Sequence, residues 1–502
     1  MNYSVLENPI VSVIKRNGEE VEVSLKDAVL RAHEYADIGG DNPLERYSSL
    51  RFLSAFVMDM LEMRTADDRR RVFEAGKFND AQFNAYVKKC IEEGVSFDLF
   101  DKDRPFMQIK ATAEEMKKIK NSACLDLSAA AGNNHAFCQK NGGVRGYSVE
   151  EDVVMTASKS FRAMITRQCF CGASTEGPSG ATGTPLYVYA IGNDLFETIM
   201  LHALSEEEVA PRTYGLGTVS WRSDKQVIYS KEKPEKEATL LEVLTWRPRR
   251  IQLFADAEGK VRKAVLKKGL NYEGTYIDPN MVAYKNPKNG VIASVGVDMD
   301  IDPWVNIANI VAGDKNNPQP DALRCMKNVY GEAVPENVAL RVCGLDKEAQ
   351  NYKLYGWQEQ DMILPECLLK DEETAKEFRR DLRMMALVSL AVSDIVGKNN
   401  VTYLSMLDRR EKEIAFDLCM TDAKQNVPKE EHETRVCEAV ESAAEEVVEN
   451  MYRNCGHTVR DMLETKKAVQ SLKRRVEKAI EKRKKGEETN ERGRDNGTDK
   501  ME

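Results

Sequence analysis

A change of pattern near Glu372 constrains the fold more than any other feature of the sequence. From there glycine becomes rare, and apolar residues recur every three or four positions, as on one face of an α-helix. Four such stripes are Phe378, Leu382, Met385, Val388, Val392 and Ile395; Leu404, Leu407, Ile414 and Leu418; Val436, Val440, Ala444, Val447 and Met451; and Met462, Val469, Leu472, Val476 and Ile480. They predict a four-helix bundle at residues 371–485. The charged, apolar-poor residues 486–502 predict a disordered tail.

The preceding residues 1–370 mix strand and helix patterns, which predict one large domain. Ile10–Arg16 and Val21–Ser24 predict a β-hairpin, because Asn17–Gly18 favours a tight turn between them. Helices are predicted at Leu25–Tyr35, Asn42–Met63, Asp80–Glu93, Ser148–Gln168 and Asp194–Leu204, and a further strand at Leu186–Ile191. The predicted fold class is therefore a mixed α/β (α+β) N-terminal domain plus a C-terminal four-helix bundle.

Composition narrows the class of protein. The chain has 502 residues, of which 42% are hydrophobic and 31% are charged, as is usual for a folded protein of several domains. No apolar run reaches the length of a membrane span, and the first residues lack a secretory signal pattern, so we expect a cytoplasmic protein. The net charge of −9 argues against a chain coated in nucleic acid, although a local basic path remains compatible with it.

A glycine- and asparagine-rich stretch at Ser128–Tyr147 suits neither a helix nor a strand interior. Long segments without secondary structure are usually either functional or disordered. One interpretation is a mobile surface linker. The other is a nucleic-acid contact, in which backbone N–H groups, Lys140 and Arg145 meet phosphate or groove atoms and Phe137 stacks or wedges.

A second glycine-rich segment runs from Cys171 to Pro185. It lacks the G-x-x-x-x-G-K-[ST] and G-x-G-x-x-G patterns, which argues against a nucleotide-binding loop. Contact with a nucleic-acid backbone remains open for this segment.

Two further stretches have polar or basic side chains that suit nucleic acid. Clustered cations can neutralise phosphates, although a solvated hairpin face explains any single one of them slightly better. The cluster comprises Arg247, Arg249, Arg250, Lys260, Arg262, Lys263, Lys267 and Lys268. The polar segment Asp346–Tyr352 predicts a hairpin tip, where Gln350 could hydrogen-bond base edges through its planar amide.

Motifs for enzymatic chemistry are missing. None of the five histidines forms H-E-x-x-H or pairs with cysteine at zinc spacing. Cys169 and Cys171 form C-x-C without a partner pair, so we predict no metal site and no cofactor. There is no G-x-S-x-G elbow and no kinase signature. A nuclease site built from ungrouped carboxylates remains an alternative.

Several short pieces, in their order and spacing, resemble the CasA family, the large subunit of the type I-E CRISPR surveillance complex called Cascade. The pieces are Phe97–Gln108, Ala131–Phe137, Thr182–Ile199, Leu244–Leu253, Asp278–Tyr284 and the C-terminal bundle. The resemblance implies a non-catalytic subunit of an antiviral defence complex. Such a subunit recognises the protospacer-adjacent motif in double-stranded DNA, promotes duplex opening for guide-RNA pairing, and recruits the helicase–nuclease.

The resemblance also implies roles for particular residues. The loop that anchors the subunit near the guide 5′ end corresponds to Asn133–Gly143, with Asn133, Asn134, Phe137, Gln139 and Lys140. The glycine loop at the minor groove corresponds to Cys171–Gly177, with Gly172 and Gly177. The lysine finger corresponds to Lys267 or Lys268, and the glutamine wedge to Gln350. The implied partners are target DNA, the guide-RNA ribonucleoprotein with its small subunits and the subunit at the guide 5′ end, and the helicase–nuclease.

Two alternatives stand beside this interpretation. One is a stand-alone metal-dependent nuclease. The other is a structural scaffold subunit that binds other proteins through its helical bundle without reading DNA.

Overall fold

A computed structural model describes residues 2–127, 154–170, 185–209, 215–223, 239–268, 278–285, 292–297, 310–311, 318–331, 333–347, 354–397, 401–425, 427–453 and 458–485. The chain forms two compact units, Met1–Glu366 and Cys367–Glu502. The predicted tail at 486–502 lies outside the described residues.

The first unit contains all the described strands and a set of mostly short helices. The strands are β1 Val11–Lys15, β2 Glu20–Val23, β3 Tyr35–Ile38, β4 Lys120–Asn121, β5 Tyr187–Ile191, β6 Arg249–Ala255, β7 Val261–Lys268, β8 Ala283–Lys285, β9 Ile292–Ser294, β10 Asn337–Lys347 and β11 Leu354–Pro365. The helices are α1 Leu25–Leu30, α2 Pro43–Leu61, α3 Ala66–Glu74, α4 Asp80–Glu92, α5 Ala113–Met116, α6 Ala157–Phe170, α7 Leu195–His202, α8 Glu206–Val209, α9 Leu240–Leu244, α10 Asp321–Arg324 and α11 Met326–Tyr330. Ala32–Glu34 and Ser122–Leu125 form 3-10 turns.

Helix α2 forms the centre of this unit. Asn42 caps its first turn by accepting a hydrogen bond from the Glu45 amide, and Pro43 occupies the first helical position, where its missing N–H costs nothing. The sequence predicts one apolar face on this helix, but the structure buries 17 of its 19 residues. The difference arises because α6, α7, α9 and β10 surround α2, so its serines are buried together with its apolar residues.

Three antiparallel three-stranded sheets, in the orders β2-β1-β3, β11-β10-β5 and β4-β7-β6, pack around that core, together with the hairpin β8-β9. The predicted first hairpin is confirmed, with Val13 opposite Val21 and Gly18 in the left-handed conformation at φ 85°. The helix predicted at Leu25–Tyr35 is too long. It ends at Leu30, because Tyr35 pairs with Lys15 as the first residue of β3.

The helix predicted from Ser148 begins only at Ala157 among the described residues. Met155 forms a β-bridge to Val261 instead, and Met155 and Val261 exchange backbone hydrogen bonds of 3.0 and 2.8 Å. Residues 148–153 of that prediction lie outside the described residues.

The second unit contains a short helix, α12 Cys367–Lys370, and four long helices. The long helices are α13 Glu372–Val396, α14 Val401–Gln425, α15 Lys429–Arg453 and α16 Val459–Lys485. They pack side by side, which confirms the predicted mixed fold with a helical bundle. One detail is wrong: Met462, which the predicted apolar stripe of α16 placed on the core side, is 64% exposed. The apolar contacts of α16 are made further along, by Leu472, Val476 and Ala479.

Candidate nucleic-acid interface

Most of the predicted contact residues fall outside the described ranges. These are Asn133, Asn134, Phe137, Gln139, Lys140 and Arg145 of the first glycine-rich stretch, Gly172 and Gly177 of the second, and Gln350. Lys267 and Lys268 lie on β7. The elements that flank each segment are described, so the structure reports where the chain enters and leaves it.

The sheet β11-β10-β5 brings two of these segments to the same end. Lys347 pairs with Leu354, so the hairpin that carries Gln350 is closed with residues 348–353 between its strands. Tyr187, the first residue of β5, pairs antiparallel with Cys343 of β10. Because β5 begins where β10 approaches its end, the chain that follows residues 171–184 enters the sheet beside the end of the hairpin that carries Gln350.

A glycine permits the close approach of these chains. A Cβ added at Gly344 would lie 3.0 Å from the carbonyl oxygen of Pro185 and would overlap the side chain of Val297. The overlap with Val297 is closer than real Cβ atoms come to a neighbour, and the distance to Pro185 is shorter than in most real contacts. Glycine at this position therefore lets the exit of the second glycine-rich segment lie directly against the hairpin.

A further hairpin joins the sheet at this end. The Val282 amide donates to the Leu186 carbonyl at 2.9 Å, and Gly296 bridges to Pro185. The β8–β9 hairpin continues from these contacts, with Lys285 opposite Ile292. The sequence indicates this hairpin by the Asn286–Pro287 pair, but it contains no signal that places it beside β5, because that pairing links residues about a hundred positions apart.

Ion pairs hold the long hairpin onto the rest of the unit. Arg341 of β10 donates to Asp361 of β11 at 2.7 Å and to Asp37 of β3 at 2.9 Å. Arg46 of α2 reaches Glu359 of β11 at 2.5 Å. The carboxylates, with the nearby Tyr189, raise the pKa of Arg341 against the opposing effect of burial, so the guanidinium stays charged. These ion pairs therefore hold the base of the β10–β11 hairpin to β3 and α2, and we call this its supported base.

Most of the basic cluster on β6 and β7 has internal partners. Arg247 is half-buried and donates to the Gln108 carbonyl at 2.8 Å; desolvation lowers the pKa of its guanidinium to about 10. Arg250 pairs with Glu115 at 3.0 Å, and Arg262 with Asp256 at 3.0 Å. Lys260 pairs with Glu258 at 3.1 Å.

Lys263 and Lys267 differ from these cations, because neither has an ion-pair partner among the residues that the structure describes. Lys267 is half-buried and lies opposite Arg250, near the end of β7. Lys268 is the last residue of that strand. Its side chain lies outside the part of the chain that the structure describes. No described contact joins Lys267 to the sheet that carries the Gln350 hairpin.

Described residues before and after the first glycine-rich stretch contact the same strand. Before it, Ser122 donates its hydroxyl to the Val261 carbonyl at 2.9 Å; after it, Met155 bridges to the same residue. Both ends therefore meet near the start of β7, within the first unit. The chain before and after the stretch therefore belongs to one folded unit, which is compatible with both interpretations of the stretch. Its ends lie at the opposite end of β7 from Lys267.

Cys169 of the C-x-C pair is buried, and its thiol lies 3.7 Å from a guanidinium nitrogen of Arg51. Burial raises the pKa of this thiol. Cys171 lies outside the described residues. Within the described ranges, no three His, Cys, Asp or Glu residues are grouped as metal ligands. No helix in those ranges is long and apolar enough to cross a membrane.

Comparisons of the sequence and of the structure with known proteins agree with one another. The family described as CRISPR-associated protein Cse1 matches residues 5–482. CasA/Cse1 of Thermus thermophilus is 24% identical over 365 residues, which cover 68% of this chain and 67% of that protein. The structure of Thermus thermophilus CasA (Cse1) aligns with a TM-score of 0.70 at 20% identity, over 95% of this chain and all of that one. A chain from a structure of the CRISPR RNA-guided surveillance complex aligns with a TM-score of 0.68 at 15% identity, over 94% and 99%.

Proposed function

Because the chain belongs to the CRISPR-associated Cse1 (CasA) family, as its sequence resemblance predicts, we propose that it is the subunit of a type I-E Cascade complex that recognises the protospacer-adjacent motif. In this role the protein binds double-stranded DNA, promotes local opening for guide-RNA pairing, and recruits the helicase–nuclease. It performs no bond chemistry itself.

One observation carries the proposal. The register of β5 against β10 brings the exit of residues 171–184 to the end of the hairpin that carries Gln350. A glycine-rich backbone suits the minor groove, where little side-chain volume fits and the base code is degenerate. A planar amide beside it suits insertion at the adjacent base step. Groove contact and wedge therefore act on neighbouring base pairs.

The supported base of the hairpin suits a wedge. Unstacking one base step costs a few kcal/mol, which the protein must supply from binding. A tip on a freely moving stalk would lose part of that energy to ordering on contact. Arg341 and Arg46 hold the stalk to β3 and α2, so less of the binding energy goes into ordering it.

Lys267 and Lys268 supply a phosphate or groove contact from the second sheet, near the end of β7. Residues 133–143 dock the subunit near the guide 5′ end. This division separates anchoring from duplex readout.

The test is duplex binding by the assembled complex. Gln350→Ala, and separately Lys267→Ala with Lys268→Ala, should reduce affinity for duplexes with a matched motif and shrink the difference between matched and mismatched motifs. A lost base or phosphate contact is worth about 1–3 kcal/mol, or roughly five- to 150-fold in affinity.

Two variants serve as controls. Lys88→Ala removes an exposed cation from α4, and Gln82→Ala removes an exposed amide from the same helix. Both should bind like the unmodified complex. Unchanged affinity for matched and mismatched motifs in the Gln350 and Lys267/Lys268 variants would contradict the assignment of these residues.

A further inference from the structure

Two cysteines of the second unit lie within hydrogen-bonding distance of each other. The thiol of Cys419, in α14, forms a hydrogen bond with the thiol of Cys367, the first residue of α12. Cys419 is buried, Cys367 is half-buried, and the cysteines that the structure describes are free thiols. One thiol of the pair is therefore open to solvent, while the other is enclosed by the bundle.

Neighbours on its own face of α14 fix the position of Cys419. Phe416 and Asp422 come three residues before and three residues after it, so the three side chains lie on one helical face. The ring centroids of Phe416 and Phe378 of α13 are 5.4 Å apart. Asp422 is linked to α13 through His432, whose two ring nitrogens contact carboxylates of α13 and α14. This face of α14 is therefore held against the first half of α13.

The backbone holds Cys367 at the start of α13. The Asp371 amide donates to the Cys367 carbonyl at 3.1 Å, and Asp371 is the N-cap residue of α13. Helix α12 contains only four residues, so Cys367 lies close to the part of α13 that packs on α14. The thiol pair is thus a product of the packing of α12, α13 and α14, because its two cysteines belong to different helices.

The surroundings keep the proton of the pair on Cys419. The hydrogen bond to Cys367 raises the pKa of the Cys419 thiol, as do burial and the negative charges of Asp381 and Asp422. A hydrogen bond that raises the pKa of its donor stabilises the anion on its partner, so ionisation of the pair leaves the negative charge on Cys367. The thiolate is the form of cysteine that attacks an oxidant. The more exposed sulfur of the pair is therefore also the reactive one.

We propose that Cys367 and Cys419 form a redox-sensitive dithiol, in which hydrogen peroxide oxidises Cys367 and Cys419 then closes a reversible disulfide between α12 and α14. An accessible thiolate beside a second, resolving thiol is the arrangement of redox-sensing cysteines. Disulfides in proteins that otherwise keep free thiols are usually of this transient kind. The inference goes beyond the proposed function, since it concerns neither DNA nor guide RNA.

The reaction has two steps, and peroxide is its only co-reactant. The Cys367 thiolate attacks one oxygen of hydrogen peroxide, and the O–O bond breaks. The products are the Cys367 sulfenic acid and hydroxide, which takes up the proton that Cys367 released on ionisation. The Cys419 sulfur then attacks the Cys367 sulfur, the S–O bond breaks, and hydroxide leaves with the Cys419 proton as water. In sum, two thiols are oxidised to one disulfide and one peroxide is reduced to two waters.

The test maps disulfides in the purified full-length chain, which is first reduced and then treated with hydrogen peroxide. The remaining thiols are alkylated, and the chain is digested with trypsin without reduction. Cleavage after lysine leaves Cys367 as the only cysteine of the peptide 354–370 and Cys419 as the only cysteine of the peptide 413–424. Mass spectrometry should find these two peptides linked, and dithiothreitol should separate them.

Three variants assign the roles, and circular dichroism checks that each of them folds. In Cys419→Ala, Cys367 should stop at the sulfenic acid, which dimedone traps. In Cys367→Ala, the buried Cys419 should react with peroxide at least about tenfold more slowly than Cys367 does. Cys437→Ala is the matched control, because it removes another buried thiol of the bundle, which lies 3.7 Å from the sulfur of Met384. It should form the disulfide like the unmodified chain.

The disulfide should also raise the unfolding temperature. A bond between Cys367 and Cys419 closes a loop of about fifty residues and restricts the unfolded chain, so we expect the oxidised chain to unfold about 5–10 °C higher. Dithiothreitol should abolish this rise, and peroxide-treated Cys419→Ala should not show it. A linked chain that unfolds at or below the temperature of the reduced chain would show that the bond does not fit the folded bundle.

Three results of the mapping would overturn the inference. One is full alkylation of both cysteines after peroxide treatment, and another is a disulfide from either of them to a different cysteine. The third is an equal yield of the linked peptides in urea, where the fold no longer holds the two thiols together. None of these results involves DNA binding, so the failure of this inference is separable from that of the proposed function.

Discussion

Gly344 of β10 lies directly against Pro185, so that a Cβ at residue 344 would be 3.0 Å from the Pro185 carbonyl oxygen. Gly344→Ala should therefore force the entry to β5 away from the hairpin. We expect a loss of about 1–3 kcal/mol in the free energy of unfolding, as for other overpacked sites, and weaker motif discrimination by the assembled complex.

Gly296→Ala provides the matched control for that substitution. Gly296 bridges to the same Pro185, but a Cβ there would meet no atom within 4 Å. It should change stability by less than about 0.5 kcal/mol. Denaturant unfolding of both variants checks the prediction, and equal effects at the two glycines would show that close approach is not the reason for glycine at 344.

The two carboxylates that pair with Arg341 should contribute unequally to the free energy of unfolding. Asp37 has a side chain that is 15% exposed, whereas Asp361 is 59% exposed, and both accept from the same guanidinium. Asp37→Ala should cost about 1–2 kcal/mol, and Asp361→Ala about 0–0.5 kcal/mol, because water screens the outer pair. Denaturant unfolding of the two variants tests this order, and a larger loss for Asp361→Ala would reverse it.

Arg69 should be among the most sensitive positions in the first unit. Its side chain is fully buried, pairs with Glu208 at 2.8 Å, and donates to the carbonyls of Met200 and Leu201. Arg69→Met leaves a buried carboxylate without its main partner, so we expect a loss of about 3–5 kcal/mol in unfolding free energy.

Arg70→Met is the control for Arg69. The neighbouring Arg70 makes an exposed ion pair with Asp67, and its loss should cost less than about 0.5 kcal/mol. Thermal unfolding distinguishes the two variants. Comparable stability of both would mean that the buried pair contributes little more than a surface one.

His432 should make the bundle sensitive to pH. Its ring nitrogens lie 3.0 Å from Asp381 of α13 and 2.7 Å from Asp422 of α14, and Arg435 also contacts Asp422. The hydrogen bond to Asp381, and then that to Asp422, raises the pKa of His432 above its usual value, although burial opposes the shift. The folded bundle therefore holds a proton that the unfolded chain releases near pH 6.5.

This contribution is fully present below about pH 6.5 and disappears as the pH rises through the raised pKa of the folded state. The unfolding temperature of the unmodified chain should thus fall more steeply above pH 6.5 than that of His432→Gln. His33→Gln, at a partly exposed histidine outside the bundle, should follow the unmodified chain. Parallel pH profiles for all three proteins would contradict the assigned role.

Local patterns predicted many of the elements, because helices and strands follow from periodicities within one segment. The apolar periodicity of Asn42–Met63 predicted α2, and the turn at Asn17–Gly18 predicted the first hairpin. The same patterns gave wrong predictions where packing against another element of the fold determined the structure. Tyr35 pairs with Lys15 and ends the helical run early, and the exposure of Met462 is not readable from the spacing of its stripe.

The sequence by itself determined the mixed fold with its helical bundle, the family, and the candidate residues. Only the tertiary structure decided that Tyr187 pairs with Cys343, that Val261 holds both ends of the first glycine-rich stretch, and that His432 meets two aspartates from other helices. These contacts join residues between 10 and 156 positions apart. Such pairings depend on how whole elements pack, because no local preference of the chain encodes which strand ends or helix faces will meet.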